Sequence, residues 1–84
     1  MFVVVYHKIT VPDEFWKITH NEITKLPKNI RLHAVWPSND MKLSTCLWEG
    51  ENITSINDYL DNTLGEVSYH DFQIVNEKFA MGLP

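Results

Sequence analysis

Cysteine, glycine and clustered basic residues are all scarce in this chain, and each shortage removes a class of function. Cys46 is the only cysteine, so no disulfide can form within the chain, which fits a reducing compartment, the cytoplasm. Three glycines are too few for a P-loop or a Gly-rich dinucleotide turn, and no nucleophile-elbow pattern occurs. Seven basic residues stand against eleven acidic ones, a formal net charge of −4, and the Lys and Arg are scattered. Nucleic acid binding needs several phosphate-neutralising cations on one face, so it is not expected. The longest apolar run, FVVVY at 2–6, is far too short to cross a bilayer. It has no basic region before it and no small-residue cleavage site after it, so it is expected to be a strand rather than a signal peptide. Without such a leader the NIT at 52–54 reads as a chance match to the glycosylation pattern.

What the chain does have is apolar and aromatic content. Its 84 residues make one domain, 1–84, which at this size buries only about 60–65% of its unfolded surface. Yet 44% of residues are hydrophobic and ten are aromatic, which rules against disorder. That is generous for one small core, and a homodimer would supply the missing burial.

Six elements follow from pattern. Residues 2–9 (FVVVYHKI) are β-branched and apolar throughout the centre, as a central strand would be. Pro12, followed by Asp13 and Glu14, opens a helix whose imperfect apolar stripe runs through Phe15, Trp16, Ile23 and Leu26 to Pro27. Residues 30–36 and 41–49 read as strands around a PSND turn at 37–40. Ile53, Ile56, Leu60 and Leu64 then mark one face of a second helix, with Asn52 as its cap and Gly65 as a left-handed stop. Residues 68–76 are the last strand, and EKFAMGLP leaves as an irregular tail. The order βαββαβ predicts an α+β ferredoxin-like plait: a four-stranded antiparallel sheet with both helices on one face. The other face needs a cover, and a second copy of the chain would provide it as a dimeric α/β barrel.

The hairpin decides which residues line that open face. A four-residue loop at 37–40 pairs Trp36 with Met41, Ala34 with Leu43 and Leu32 with Thr45. Ile30, Leu32, Ala34, Trp36, Met41, Leu43 and Leu47 then lie beneath the helices. Arg31, His33, Val35, Lys42, Ser44, Cys46 and Trp48 take the open face. A register slipped by one would send Cys46 and Trp48 to join Leu32 and Trp36; the unslipped one separates apolar from mixed residues and is preferred. The first strand adds either His7 with Val3 and Val5, or Tyr6 with Phe2 and Val4. In the last strand His70, Phe72 and Ile74 read as core, which leaves Tyr69, Asp71 and Gln73 to the open side.

This arrangement gives a semi-polar cavity, ligand-binding through His33, Cys46, Trp48, Tyr69 and Asp71. His7, His33 and Cys46 are ligand types suited to nickel, zinc or copper. No CxxC or HxH pair supports a metal, and the plainer reading weighs more: His33 half-buried and hydrogen-bonded, Cys46 a small core residue. A histidine beside Tyr or Asp would also serve as a general base. His20 reads as a surface residue, and Glu49, Glu51, Asp58 and Asp61 as a solvated acidic face. Phe15 and Trp16, being adjacent, cannot both enter one core, so one packs at an edge or on a partner.

The hairpin HAVWPSNDMKLSTCLWEG and the helix SINDYLDNTLG resemble small ferredoxin-like proteins of the dimeric α/β-barrel group. Within it they are most similar to a bacterial set with nickel-binding members, whose third strand is of a CLFEA type; here it is TCLWEG, 45–50. The ending VNEKFAMGLP (75–84) resembles those of bacterial and archaeal proteins of this length. The resemblance covers most of the chain and implies fold and homodimer; nickel ligands do not match residue by residue. The expectation is a small cytoplasmic homodimeric binding protein for a transition metal or a small molecule, with no nucleic acid or membrane partner. The alternatives are a cofactor-independent enzyme of monooxygenase or isomerase type, and a purely structural dimer. Phe79, Met81 and Leu83 in the tail are expected to pack along the sheet edge or a partner chain.

Overall fold

Four extended runs pair into one antiparallel sheet in a computed structural model that describes all residues 1–84. The elements are strand β1 (Phe2–Ile9), helix α1 (Pro12–Glu22), strands β2 (Ile30–Pro37) and β3 (Leu43–Gly50), helix α2 (Ile53–Leu64) and strand β4 (Ser68–Ile74). The strand order β2-β3-β1-β4 places β1 at the centre, where its β-branched run is best accommodated. This is the ferredoxin-like βαββαβ plait that the pattern predicts.

The core lies between the helices and one sheet face. Val3, Val5 and Ile9 of β1 meet Cys46 and Trp48 of β3, Phe15 of α1, and Ile56, Leu60 and Leu64 of α2. The α2 stripe buries as its spacing requires, and the Asn52 side chain accepts a hydrogen bond from the Ser55 N–H at 2.9 Å. Pro12 sits in the first turn of α1, where its missing N–H costs nothing. Strands β3 and β4 span 43–50 and 68–74 rather than 41–49 and 68–76, and both helix ends differ in detail from the sequence reading. Helix α1 ends at Glu22, with Ile23 as its cap, rather than at Pro27. Gly65 is right-handed, with φ −62°, not a left-handed stop. Glycine is needed there for space, since a Cβ would run into the Asp61 carbonyl oxygen.

The hairpin register differs more. Trp36 pairs with Thr45, Ala34 with Leu47 and Leu32 with Trp48, with a bulge between Leu32 and Ala34. The loop is 38–42, closed by Ser38 N–H to the Leu43 carbonyl at 2.8 Å and Leu43 N–H to Ser38 Oγ at 3.0 Å. The Asp40 carboxylate fills it, accepting from Ser38 Oγ at 2.7 Å and Lys42 N–H at 3.0 Å. Met41 takes the left-handed turn position, with φ 64°. A bulge puts two residues opposite one, so His33 and Ala34 both fall on the open side and Val35 turns inward. Strand β3 is regular but of opposite phase to the expected one. Ser44, Cys46 and Trp48 are buried beneath the helices, and Leu43 is exposed on the other side. Trp16 explains the Phe15–Trp16 pair: Phe15 is buried, while the Trp16 indole donates to the Met41 carbonyl at 3.0 Å and ties α1 to the hairpin loop.

Candidate functional site

The open sheet face is one of two chemically distinct surfaces that the strands create. Alternation along β1 aims Phe2, Val4, Tyr6 and Lys8 at it. Tyr6 is flanked across the sheet by Thr45 and Asp71, and Lys8 by Leu43 and Tyr69. The Tyr6 hydroxyl donates to Gln73 Oε1 at 2.9 Å. At the far end His33 Nε2 lies 2.8 Å from Glu49 Oε1, and the Phe2 ring packs on the imidazole with centroids 5.5 Å apart. Glu49 therefore has a partner and does not belong to a merely solvated acidic face. The bulge is what makes this contact: it leaves His33 beside Glu49 as an extra residue on the open side.

Of the expected site residues, the structure gathers only some. His33, Tyr69 and Asp71 stand on the open face. Cys46 and Trp48 do not: the register turns both to the helix side, where they are 5% and 4% exposed. His7 also lies on that side, at 3% exposure, flanked by Ser44 and His70. The expected metal set His7, His33 and Cys46 is thus divided by the sheet, and no three His, Cys, Asp or Glu side chains are grouped to hold a metal ion. Burial pushes the Cys46 thiol above its ordinary pKa, so it stays protonated and is a poor ligand or nucleophile. Its contact is with Ser44 Oγ, at 3.6 Å.

Beneath the helices the sequence conceals a second histidine feature. His70 Nε2 meets Asp61 Oδ1 at 2.9 Å, and the His7 and His70 rings are 6.0 Å apart. Desolvation, with His70 as a second cause, lowers the His7 pKa from 6.5 to about 4, so His7 is neutral at physiological pH. The His70 position as core is legible from its alternation with Phe72. Its partner is not, because Asp61 reaches it from α2, which the sequence places only as a stripe. Neither imidazole lines a pocket, and the Nδ1 atom of each is buried without a hydrogen-bond partner.

No family model, no curated protein and no solved structure matches this chain.

Proposed function

We propose that this chain is a homodimeric binding protein, a dimeric α/β barrel closed by two open sheet faces, with a small organic molecule held between them. The observation that carries this reading is the composition of that face. Tyr6, Trp36, Leu43 and Tyr69 are 45%, 59%, 54% and 70% exposed on it, interleaved with Lys8, His33, Glu49 and Asp71. Large apolar side chains concentrated on one side mark an interface.

Within such a barrel the polar groups available to a ligand include Tyr6, Lys8, His33, Glu49, Tyr69, Asp71 and Gln73, with Cys46 and Trp48 removed from the set. That favours hydrogen bonding to an organic molecule over metal coordination, since no three His, Cys, Asp or Glu side chains are grouped on the face. The His33–Glu49 contact supports a second reading, in which a carboxylate-oriented imidazole acts as general base. Turnover lost in His33→Ala with binding retained would select it.

Sedimentation equilibrium of the full chain tests the pairing. The expected species has twice the 9.8 kDa chain mass, and Trp36→Asp, which places a charge in the contact at the β2 edge of the face, reduces it to the monomer. A wild-type chain that remains monomeric up to its solubility limit would overturn the proposal.

A further inference from the structure

His7 and His70 stand directly opposite each other on β1 and β4, on the helix side of the sheet. Their rings are 6.0 Å apart, and the Nδ1 atom of each is buried without a hydrogen-bond partner. Asp61 of α2 reaches His70 Nε2 at 2.9 Å and is the only carboxylate within ion-pair distance of either ring. Ser44 and Cys46 of β3 lie opposite and diagonal to His7, and the Phe15 ring of α1 is 5.4 Å away. Glu14 and Glu66 line the cleft that Asp61 also borders. While β4 is in place a charge on His7 meets little water, since the residue is 3% exposed. Desolvation and then His70 oppose that charge, which is why the His7 pKa is held at about 4.

Hydrating His7 requires a neighbouring element to leave, and the neighbours are not equally held. Strand β3 is interior, paired to both β1 and β2. Helix α1 leaves only by exposing Phe15, and α2 only by exposing Ile56, Leu60 and Leu64, all buried. Strand β4 is an edge strand with β1 as its one neighbour; Ser68 is its only buried residue, and Ile74 is already 55% exposed. Its release costs the least apolar burial, as expected of a low-energy local opening. We propose that β4 is an acid-released strand: the His7–His70–Asp61 cluster clasps it to β1 and α2 at neutral pH, and a proton entering at His7 lets it detach. The open state returns His7 toward its ordinary 6.5, so it takes up a proton below that pH, whereas the closed state does so only near 4. Tyr69, Asp71 and Gln73 travel with β4, so the same motion withdraws them from the open face.

Strand β1 carries an internal control. The Thr10 N–H bonds to the Val67 carbonyl and the Val75 N–H to the Phe2 carbonyl, whereas the Ile9 N–H bonds to Lys42 and the Gly50 N–H to Met1. Alternation between these ends directs the amides of Val4, Tyr6 and Lys8 to β4 and those of Val3, Val5 and His7 to β3. The test is site-resolved hydrogen exchange of the ¹⁵N-labelled full chain at about pH 7 and about pH 5, each rate divided by the intrinsic rate at that pH. Protection of Val4, Tyr6 and Lys8 should fall about tenfold or more at the lower pH, with a ceiling of about thirtyfold for full recovery of the ordinary pKa. It should then lie at least about tenfold below that of Val3, Val5 and His7. His7→Leu should remove most of the fall, and Asp61→Asn should lower protection of the β4-directed amides about threefold or more at neutral pH. Equal protection of the two sets at the lower pH would make the opening global and overturn the proposal. So would an absent fall, a full fall in a folded His7→Leu, or unchanged amides in Asp61→Asn. Should His7→Leu not fold, the wild type and Asp61→Asn decide the matter.

Discussion

His7 titrates from inside the core, and that sets how the chain responds to acid. Its folded pKa is about 4 against an ordinary 6.5, so between those values the unfolded chain binds a proton that the folded chain refuses. A depressed histidine pKa leaves its stabilising contribution intact above pH 6.5 and removes it progressively as the pH falls toward about 4. The shift corresponds to about 3 kcal/mol of unfolding free energy. The groups that face His7 are His70, Ser44 and the Phe15 ring, with Asp61 held beyond His70. Urea unfolding at about pH 7 and about pH 4.5 should show this loss. His7→Leu, which removes both the proton and the unpaired Nδ1, should flatten the slope while changing neutral-pH stability by about 1–2 kcal/mol at most. A variant with the wild-type slope would show that the acid sensitivity does not arise at His7.

The hairpin shows at the scale of elements what alternation can and cannot decide. Deleting His33 leaves Leu32 facing the helices, Ala34 outward, Val35 inward and Trp36 outward, so a regular strand replaces the bulged one with no change of faces. The deletion should therefore fold, losing about 1–2 kcal/mol for the Glu49 contact and local repacking. Removing Thr45 from the unbulged β3 should abolish cooperative unfolding, because it drives one half of that strand through the sheet. Near-ultraviolet circular dichroism and urea unfolding distinguish the two; a His33 deletion as damaging as the Thr45 deletion would contradict the phase argument. The same physics explains what was legible in advance. Strand and helix identities follow from β-branched runs and from the 53, 56, 60, 64 spacing, and the fold follows from their order. The faces of the hairpin were not legible, because Leu43 and Leu47 are as apolar as Cys46 and Trp48, and period two alone cannot say which pair lies beneath helices. The extra residue at His33 and the five-residue loop each alter phase without altering composition. The side taken by Tyr69 and Asp71 is legible because His70 and Phe72 offer a clear contrast to them.

The whole molecule leaves several large apolar side chains in water, and the tail adds two of them. Phe79 is 81% and Met81 96% exposed, so neither packs along the chain's own sheet edge, although the Asn76 side chain and carbonyl hold a turn over 76–80. If these side chains serve pairing, deleting residues 78–84 should leave unfolding of the monomer unchanged and raise the dimer dissociation constant about tenfold or more. One buried aromatic is worth that much. Equal dissociation constants by sedimentation equilibrium would exclude the tail from the contact. The three tryptophans are distributed across these regions in a way that any solution experiment inherits. Trp16 is anchored to the hairpin loop, Trp36 stands 59% exposed on the open face, and Trp48 is enclosed between sheet and helices. The protein thus carries three native optical reporters, one for each region whose state matters, and a collisional quencher can separate them by depth without the attachment of a dye.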